Sequence, residues 1–385
     1  MGYIGANIVF ALILLAGNDH VSAQTVIDSS SPDVNALGPS CLTPDGKVGV
    51  CVPNYQCNFE TNSVDPGATI DLRFLRLDFR TQSCPHYLQI CCLREEMAGS
   101  KTVEKIPQCG LSNPGAVELK AKPTLVGEAE YGEFPWMVAL LRSTAPDQAW
   151  SQDDYIGGGS IIHPKVVLTA AHKVARYTEG EIKCRAGEWD TSNTDENFLT
   201  QERQVEKIVQ HEDFFDLQAY NNIALLVLKE AFSFNDAPHM GIACVGKVLP
   251  PPGTQCFTMG WGKESSGKYA TVLKKIQMPL IDSDECQHTL RNTRLGSRFL
   301  LHPSQSCAGG VAGVDTCKGD GGSPLVCDVG NGTMKRYAIF GLVSSGVGCG
   351  KKNVPGIYSN VPYLYSWLID AMNTEKLPSK TFTYV

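Results

Sequence analysis

The stretch "TCKGDGGSPLVC", residues 316–327, sets glycines at 319, 321 and 322 around Asp320 and places cysteines near both ends, Cys317 and Cys327. Glycine tolerates backbone conformations that a Cβ forbids, so the stretch reads as a tight turn before Pro324. The chain on either side has a matching texture. Short apolar and β-branched runs, "WMVALL" (136–141), "SIIHPKVVLTA" (160–170), "IALLVL" (223–228) and "YAIFGLVSS" (337–345), are separated by Gly, Pro, Asn and Asp. That is the pattern of an all-β barrel or sandwich. One helical stretch stands out near the end: in "PYLYSWLIDAM" (362–372), Tyr363, Leu364, Trp367, Leu368 and Met372 predict a single apolar face. No internal repeat is visible.

At 385 residues the chain exceeds the roughly 250 to 300 residues at which single cores stop growing, so a second, smaller unit is expected. Residues 1–23 carry an apolar run from Ile8 to Leu15 and end in Val-Ser-Ala, which predicts a secretory signal. No later stretch reaches the ~18 apolar residues of a membrane span, so a soluble product without a membrane partner is expected. The net charge of −7 and the lack of any Lys/Arg run argue against nucleic acid as a partner. Fifteen cysteines in a secreted chain read as disulfides rather than metal ligands.

Those cysteines are unevenly spread. After a polar lead (24–40), six of them, Cys41, Cys51, Cys57, Cys84, Cys91 and Cys92, crowd into residues 41–92. A module of about 52 residues is too small to fold easily on core burial alone, so three disulfides are the expected compensation; spacing alone leaves fifteen connectivities. Residues 93–124, with Pro107, Pro114, Pro123 and Cys109, read as a linker, and 125–385 as the large unit.

Seven motifs in the large unit occur in the order of one family: "GEFPWMVAL" (132–140), "LTAAHK" (168–173), "NNIALLVL" (221–228), "CFTMGWG" (256–262), "CAGG" (307–310), "DTCKGDGGSPLVC" (315–327) and "NVPGIYSNV" (353–361). Over residues 125–372 the chain resembles the chymotrypsin-like serine proteases. The resemblance implies two six-stranded antiparallel β-barrels with a cleft between them and a C-terminal helix. Acyl transfer in that cleft needs a serine hydroxyl, a histidine base and a carboxylate that sets the histidine tautomer. His172 matches the base, but Asn222 stands at the carboxylate position and Gly321 at the nucleophile. Ser323 lies two residues on, roughly 6 to 7 Å along an extended chain, too far to replace a group that must be held within about 0.5 Å. The chain is expected to be a pseudo-protease.

The same resemblance assigns further positions. Asp320 matches the zymogen-type salt-bridge aspartate, and Gly319 with Gly321 the oxyanion-hole-like N–H groups. The activation junction is altered to Pro123-Thr124-Leu125-Val126-Gly127, with Lys122 before proline and Lys120 a displaced candidate for cleavage. Asp315, Gly346 and Gly356 match an S1-like pocket of the Arg/Lys-binding type, although Ser345 replaces the usual tryptophan; a residual pocket without ligand is the other reading. The family's cystine beside the active-site histidine is lost at both positions, now Lys173 and Gly157. Its remaining pattern implies Cys109–Cys244, Cys256–Cys327, Cys286–Cys307 and Cys317–Cys349, leaving Cys184 as either a buried thiol or an intermolecular link. The loop holding Glu188, Asp190, Asp195, Glu196 and Glu202 resembles a calcium loop of hard oxygen ligands or is a solvated acidic loop. No cofactor is required. Asn331-Gly332-Thr333 is a glycosylation sequon.

The spacing of the first six cysteines resembles the clip domain, which implies Cys41–Cys91, Cys51–Cys84 and Cys57–Cys92. Together with "VLKKIQMPLIDSDECQHTLRNTRLG" (272–296), a segment absent from digestive trypsins, the whole is similar to the clip-domain serine protease homologues of arthropods. That resemblance implies a haemolymph protein, not a hydrolase, that assists prophenoloxidase activation in melanisation. Its implied partners are phenoloxidase or prophenoloxidase and the activating clip protease. A microbial-surface or adhesion protein and a residual trypsin-like protease are the alternatives. The cysteine-free interval between Cys57 and Cys84 offers Arg73, Arg76 and Arg80 to an upstream protease. A cut there is expected to expose Phe74, Leu75, Leu77 and Phe79 for self-association or docking.

Overall fold

The computed structural model describes residues 40–42, 48–53, 57–58, 63–64, 84, 89–93, 106–112, 127–143, 152–192, 198–235, 237–263, 267–311, 319–330, 335–348 and 351–384. The chain divides into two compact units, 1–99 and 100–385. The small unit is one five-stranded sheet of β1 (Ser40–Leu42), β2 (Val48–Pro53), β3 (Cys57–Asn58), β4 (Ser63–Val64) and β5 (Gln89–Leu93) in the order β1-β2-β5-β4-β3. Its described core is slight: Val50, Val52 and Cys92 pack together, and Cys41, Cys51 and Cys91 form a second cluster. The cystines Cys41–Cys91 and Cys51–Cys84 fasten β1 and residue 84 to the β2–β5 pair. Cross-links of this kind supply what so small a core lacks.

The large unit begins with a closed six-stranded antiparallel barrel. Its strands are β6 (Met137–Arg142), β7 (Tyr155–His163), β8 (Val166–Thr169), β9 (Ile182–Ala186), β10 (Gln201–Gln210) and β11 (Ala224–Leu228), hydrogen-bonded in the order β10-β11-β8-β7-β6-β9. The apolar runs are buried on both faces because two cores need them. Side chains alternate along a strand, and Val138 and Leu140 of β6 join one core while Met137, Ala139 and Leu141 join the other. The same alternation on β11 sends Leu226 and Leu228 to the first and Leu225 to the second.

A second barrel follows from β13 (Gln255–Gly260), β14 (Lys274–Ile281), β15 (Gln305–Gly309), β16 (Pro324–Asp328), β17 (Tyr337–Ser345) and β18 (Pro355–Asn360), closed by the β17–β18 pairing. The short β12 (Cys244–Val245) adds to β17 in parallel. Three helices are described: α1 (Ala171–Val174), α2 (Ser283–Arg291) and α3 (Tyr365–Thr374). Asp282 caps α2, its carboxylate accepting from the N–H groups of Asp284 (2.9 Å) and Glu285 (3.2 Å). α3 buries Leu368, Ala371 and Met372, with Leu364 buried at its N-cap. Tyr363 departs from the expected apolar face: it precedes the helix and is 53% exposed. No helix among the described residues is long and apolar enough to cross a membrane.

Candidate functional site

The structure brings His172, Asn222 and Gly321 together where the two barrels meet. His172 lies on the single turn α1, just past β8, and the fully buried Asn222 precedes β11. Ser359 on β18 donates its hydroxyl to the Asn222 carbonyl at 2.6 Å. Asn222 Oδ1 accepts the backbone N–H of His172 at 2.9 Å. A backbone N–H can only donate, so that bond identifies the amide oxygen and turns Nδ2 toward Ser344 Oγ (2.8 Å) and His172 Nδ1 (2.9 Å). Both amide protons are used only if Nδ1 is the acceptor. His172 Nδ1 also lies 3.2 Å from Asn222 Oδ1, but the contact to Nδ2 is the shorter. The geometry therefore favours the ring proton on Nε2, the reverse of what a general base aimed at a nucleophile requires. Burial, and then the neighbouring Lys173 charge, lower the His172 pKa to about 4 against the opposing effects of Asn222 and Asp216, so the ring is neutral near pH 7.

Gly321 faces that protonated nitrogen. A Cβ at this position would lie 2.8 Å from His172 Nε2 and 2.8 Å from Lys173 Cδ, both closer than side-chain carbons tolerate. The Lys173 tail continues to Gly157, where a Cβ would lie 2.5 Å from Lys173 Cε and 2.5 Å from the Gly321 carbonyl. A long side chain thus runs past both Gly157 and Gly321. Burial lowers the Lys173 pKa and the Asp320 charge opposes it. Ser323 is fully buried against Gly158 and Gly260, in the seam rather than against His172.

Around this centre, Asp320 Oδ1 accepts the Gly262 N–H at 2.9 Å. Gly319 adopts φ +107° against the Tyr269 ring, where a Cβ would lie 2.8 Å from Cε1. Gly346 is exposed and its carbonyl accepts from Arg294 Nη2 at 3.3 Å. Gly356 is buried in β18 opposite Ala308. Cystines join Cys109 to Cys244, Cys256 to Cys327 and Cys286 to Cys307. Cys92 is also disulfide-bonded, while the Cys57 side chain lies outside the described residues. Cys184 is a free, fully buried thiol on β9, and burial raises its pKa. Asp315, Cys317, Cys349, Arg73, Arg76, Arg80, Lys120, Asn331 and the junction 123–126 lie outside the described residues.

The calcium expectation meets a different arrangement. Glu188 and Glu202 both bond Arg185, at 3.0 and 2.8 Å, and Glu202 also takes Lys183 at 2.9 Å. A guanidinium between two carboxylates satisfies the charge that a cation would, so these two residues do not present a vacant ligand set. Asp190 instead accepts from Ser192; Asp195 and Glu196 lie outside the described residues. The Arg185–Glu202 contact and the Lys173 tail are the two features missed by sequence reasoning. The first follows from strand register, the second from a side-chain path between two glycines distant in sequence.

A family model described as Trypsin matches residues 126–368, and one described as Serine protease Clip domain PPAF-2 matches residues 38–93. The chain is 43% identical over 289 residues to "Phenoloxidase-activating factor 2" of Galleria mellonella, covering 72% of this chain and 92% of that protein. It is 36% identical to "Inactive CLIP domain-containing serine protease A3" of Aedes aegypti (84% and 67% covered) and 35% identical to "Inactive CLIP domain-containing serine protease A28" of Anopheles gambiae (83% and 88% covered). With a trypsin-like double barrel, a clip unit and relatives of this kind, the chain belongs to the clip-domain serine protease homologues of the trypsin family.

Proposed function

We propose that this protein is a secreted, non-catalytic cofactor or scaffold that assists prophenoloxidase activation in haemolymph, with phenoloxidase or prophenoloxidase and its activating clip protease as partners. The observation that carries the reading is the centre itself: Gly321 meets His172 Nε2, which holds a proton, and the Lys173 tail fills the adjoining space. Hydrolysis has neither nucleophile nor base there. The names of the relatives, a phenoloxidase-activating factor and two inactive clip proteases, support the pathway.

Function is switched on by an upstream trypsin-like protease cutting after Arg73, Arg76 or Arg80, with Lys120 as the alternative. The cut products associate with each other or with the partner, and Asn331 carries a glycan. An S1-like pocket built on Asp315, Gly346 and Gly356 has no hydrolytic role. The test is reconstitution of prophenoloxidase with its activating protease, with and without this chain, before and after processing. Phenoloxidase activity is expected to require the processed chain. Equal activity without it would overturn the cofactor role, and selective capture on microbial walls would favour the adhesion reading.

A further inference from the structure

The substitutions that remove catalysis also reverse the chemistry of the cleft. An active protease presents an acceptor, deprotonated Nε2, to a hydroxyl. Here the shorter of the two Asn222 contacts to His172 Nδ1 comes from the amide nitrogen, 2.9 Å against 3.2 Å for Oδ1, which favours the proton on Nε2 and makes His172 a donor instead. The place it points to is unoccupied by any side chain of residue 321, and its other wall is the Lys173 tail. Lys263 sits 5.0 Å over the Tyr269 ring that covers Gly319, next to Asp320 and Gly321 in the chain. Of the carboxylates that act on these groups, Asp320 is buried and turned to the Gly262 N–H, and Asp216 is exposed.

We propose that the vestigial cleft is an oxyanion site that takes a carboxylate presented by an acidic side chain or C-terminus of a partner peptide, with His172 Nε2–H and the Lys173 ammonium as donors. Hydrogen bonds from such groups to an anion are short and strong. A neutral imidazole binds without first taking up a proton, and the lysine supplies the charge. The space at residue 321 is already taken by the His172 ring and the Lys173 tail, but both side chains are only partly buried, so a carboxylate reaches them from the solvent side of the cleft. The site does not depend on any role in phenoloxidase activation.

The test uses the full-length, ¹⁵N-labelled protein and the long-range ¹H–¹⁵N correlations of its histidines, which separate Nε2–H from Nδ1–H tautomers. Sodium acetate, sodium sulfate and a short acidic peptide with a free C-terminus are titrated against sodium chloride at equal ionic strength, which cancels general screening. His172 is expected to be the Nε2–H tautomer, to shift saturably with acetate but not chloride, and to bind the peptide at least about tenfold more tightly than acetate. Lys173→Met and the isosteric Asn222→Asp, which returns the proton to Nδ1, should each weaken binding about tenfold or more, in variants whose amide spectra remain dispersed. An Nδ1–H tautomer in the free protein, non-saturating shifts, or undiminished affinity in Asn222→Asp would overturn the site. Tighter binding of sulfate than of the peptide would overturn its assignment to a peptide carboxylate.

Discussion

Restoring the nucleophile should restore nothing by itself. In Gly321→Ser the new Cβ lands 2.8 Å from His172 Nε2 and 2.8 Å from Lys173 Cδ. Overpacking of this kind typically costs about 1 to 3 kcal/mol, and the flexible lysine tail places the cost at the lower end. The tautomer is the larger obstacle. Replacing the triad carboxylate by its amide lowers kcat about 10⁴-fold in a serine protease, which is about 5.4 kcal/mol of barrier. The Asn222 amide holds His172 in that unproductive form through bonds of 2.9 Å and 2.8 Å. Gly321→Ser is therefore expected to hydrolyse an Arg-based chromogenic peptide at background rate and to resist labelling by a fluorophosphonate. Gly321→Ser with Asn222→Asp recovers the tautomer, and weak trypsin-like turnover is expected once Lys173 is shortened to Ala and the junction is rewritten as Arg-Ile-Val-Gly-Gly. Rapid labelling of the single Gly321→Ser variant would refute the assigned tautomer and the crowding argument together.

Buried histidines give the fold a pH limit. Burial lowers the pKa of both His163 and His239 to about 4, so between pH 4 and the unfolded value near 6.5 the unfolded chain binds more protons. Stability is then complete above pH 6.5 and is lost as pH falls through that window, by up to about 1.4 kcal/mol per pH unit per histidine. Urea titrations at pH 7, 5.5 and 4.5 should show this, and His239→Phe, which keeps the stack with Tyr131 and Phe198, should flatten the slope. Cys184 should resist alkylation in the native protein and react only on unfolding in denaturant; fast native labelling would contradict its burial. Arg185→Leu leaves the buried Glu188 carboxylate without its guanidinium, while Lys183 still holds the partly exposed Glu202, a loss of about 3 kcal/mol for the buried Arg185–Glu188 pair. Calcium should raise the Tm of that variant more than that of the parent; an equal response would show that Arg185 does not stand in for a cation.

The architecture was legible because its signals are local. "IALLVL" contains a strand buried on both faces, and its burial in two cores explains why no polar alternation interrupts it. Glycines in "GDGGSP" marked the turn, and Gly319 and Gly322 indeed take positive φ. Features that depend on register or on a side-chain path were hidden. Arg185 meets Glu202 only because β9 and β10 pair those residues directly, so an acidic loop in the sequence is a neutralised cluster in space. Tyr363 had helical spacing, yet the helix starts at Tyr365 and leaves it in solvent. The direction of the Asn222 amide is set by the backbone N–H of a residue fifty positions earlier, which no periodicity reports.

The residues that stand apart from the protease pattern fit one another. A serine at 321 would meet a protonated Nε2, so its hydroxyl would have no base to receive its proton. A cystine at the positions of Lys173 and Gly157 would leave no path for the lysine tail, which needs Gly157 to lack a Cβ just as it needs Gly321 to lack one. An aspartate at 222 would put the proton back on Nδ1, leaving Nε2 as a bare acceptor beside a glycine and lacking the donor that the open cleft now presents. Local choices that support one another are what a sequence settled on a single structure shows. The site is thus coherent as a donor-lined cleft rather than a protease with parts missing, and reverting one position alone should produce conflict instead of partial activity.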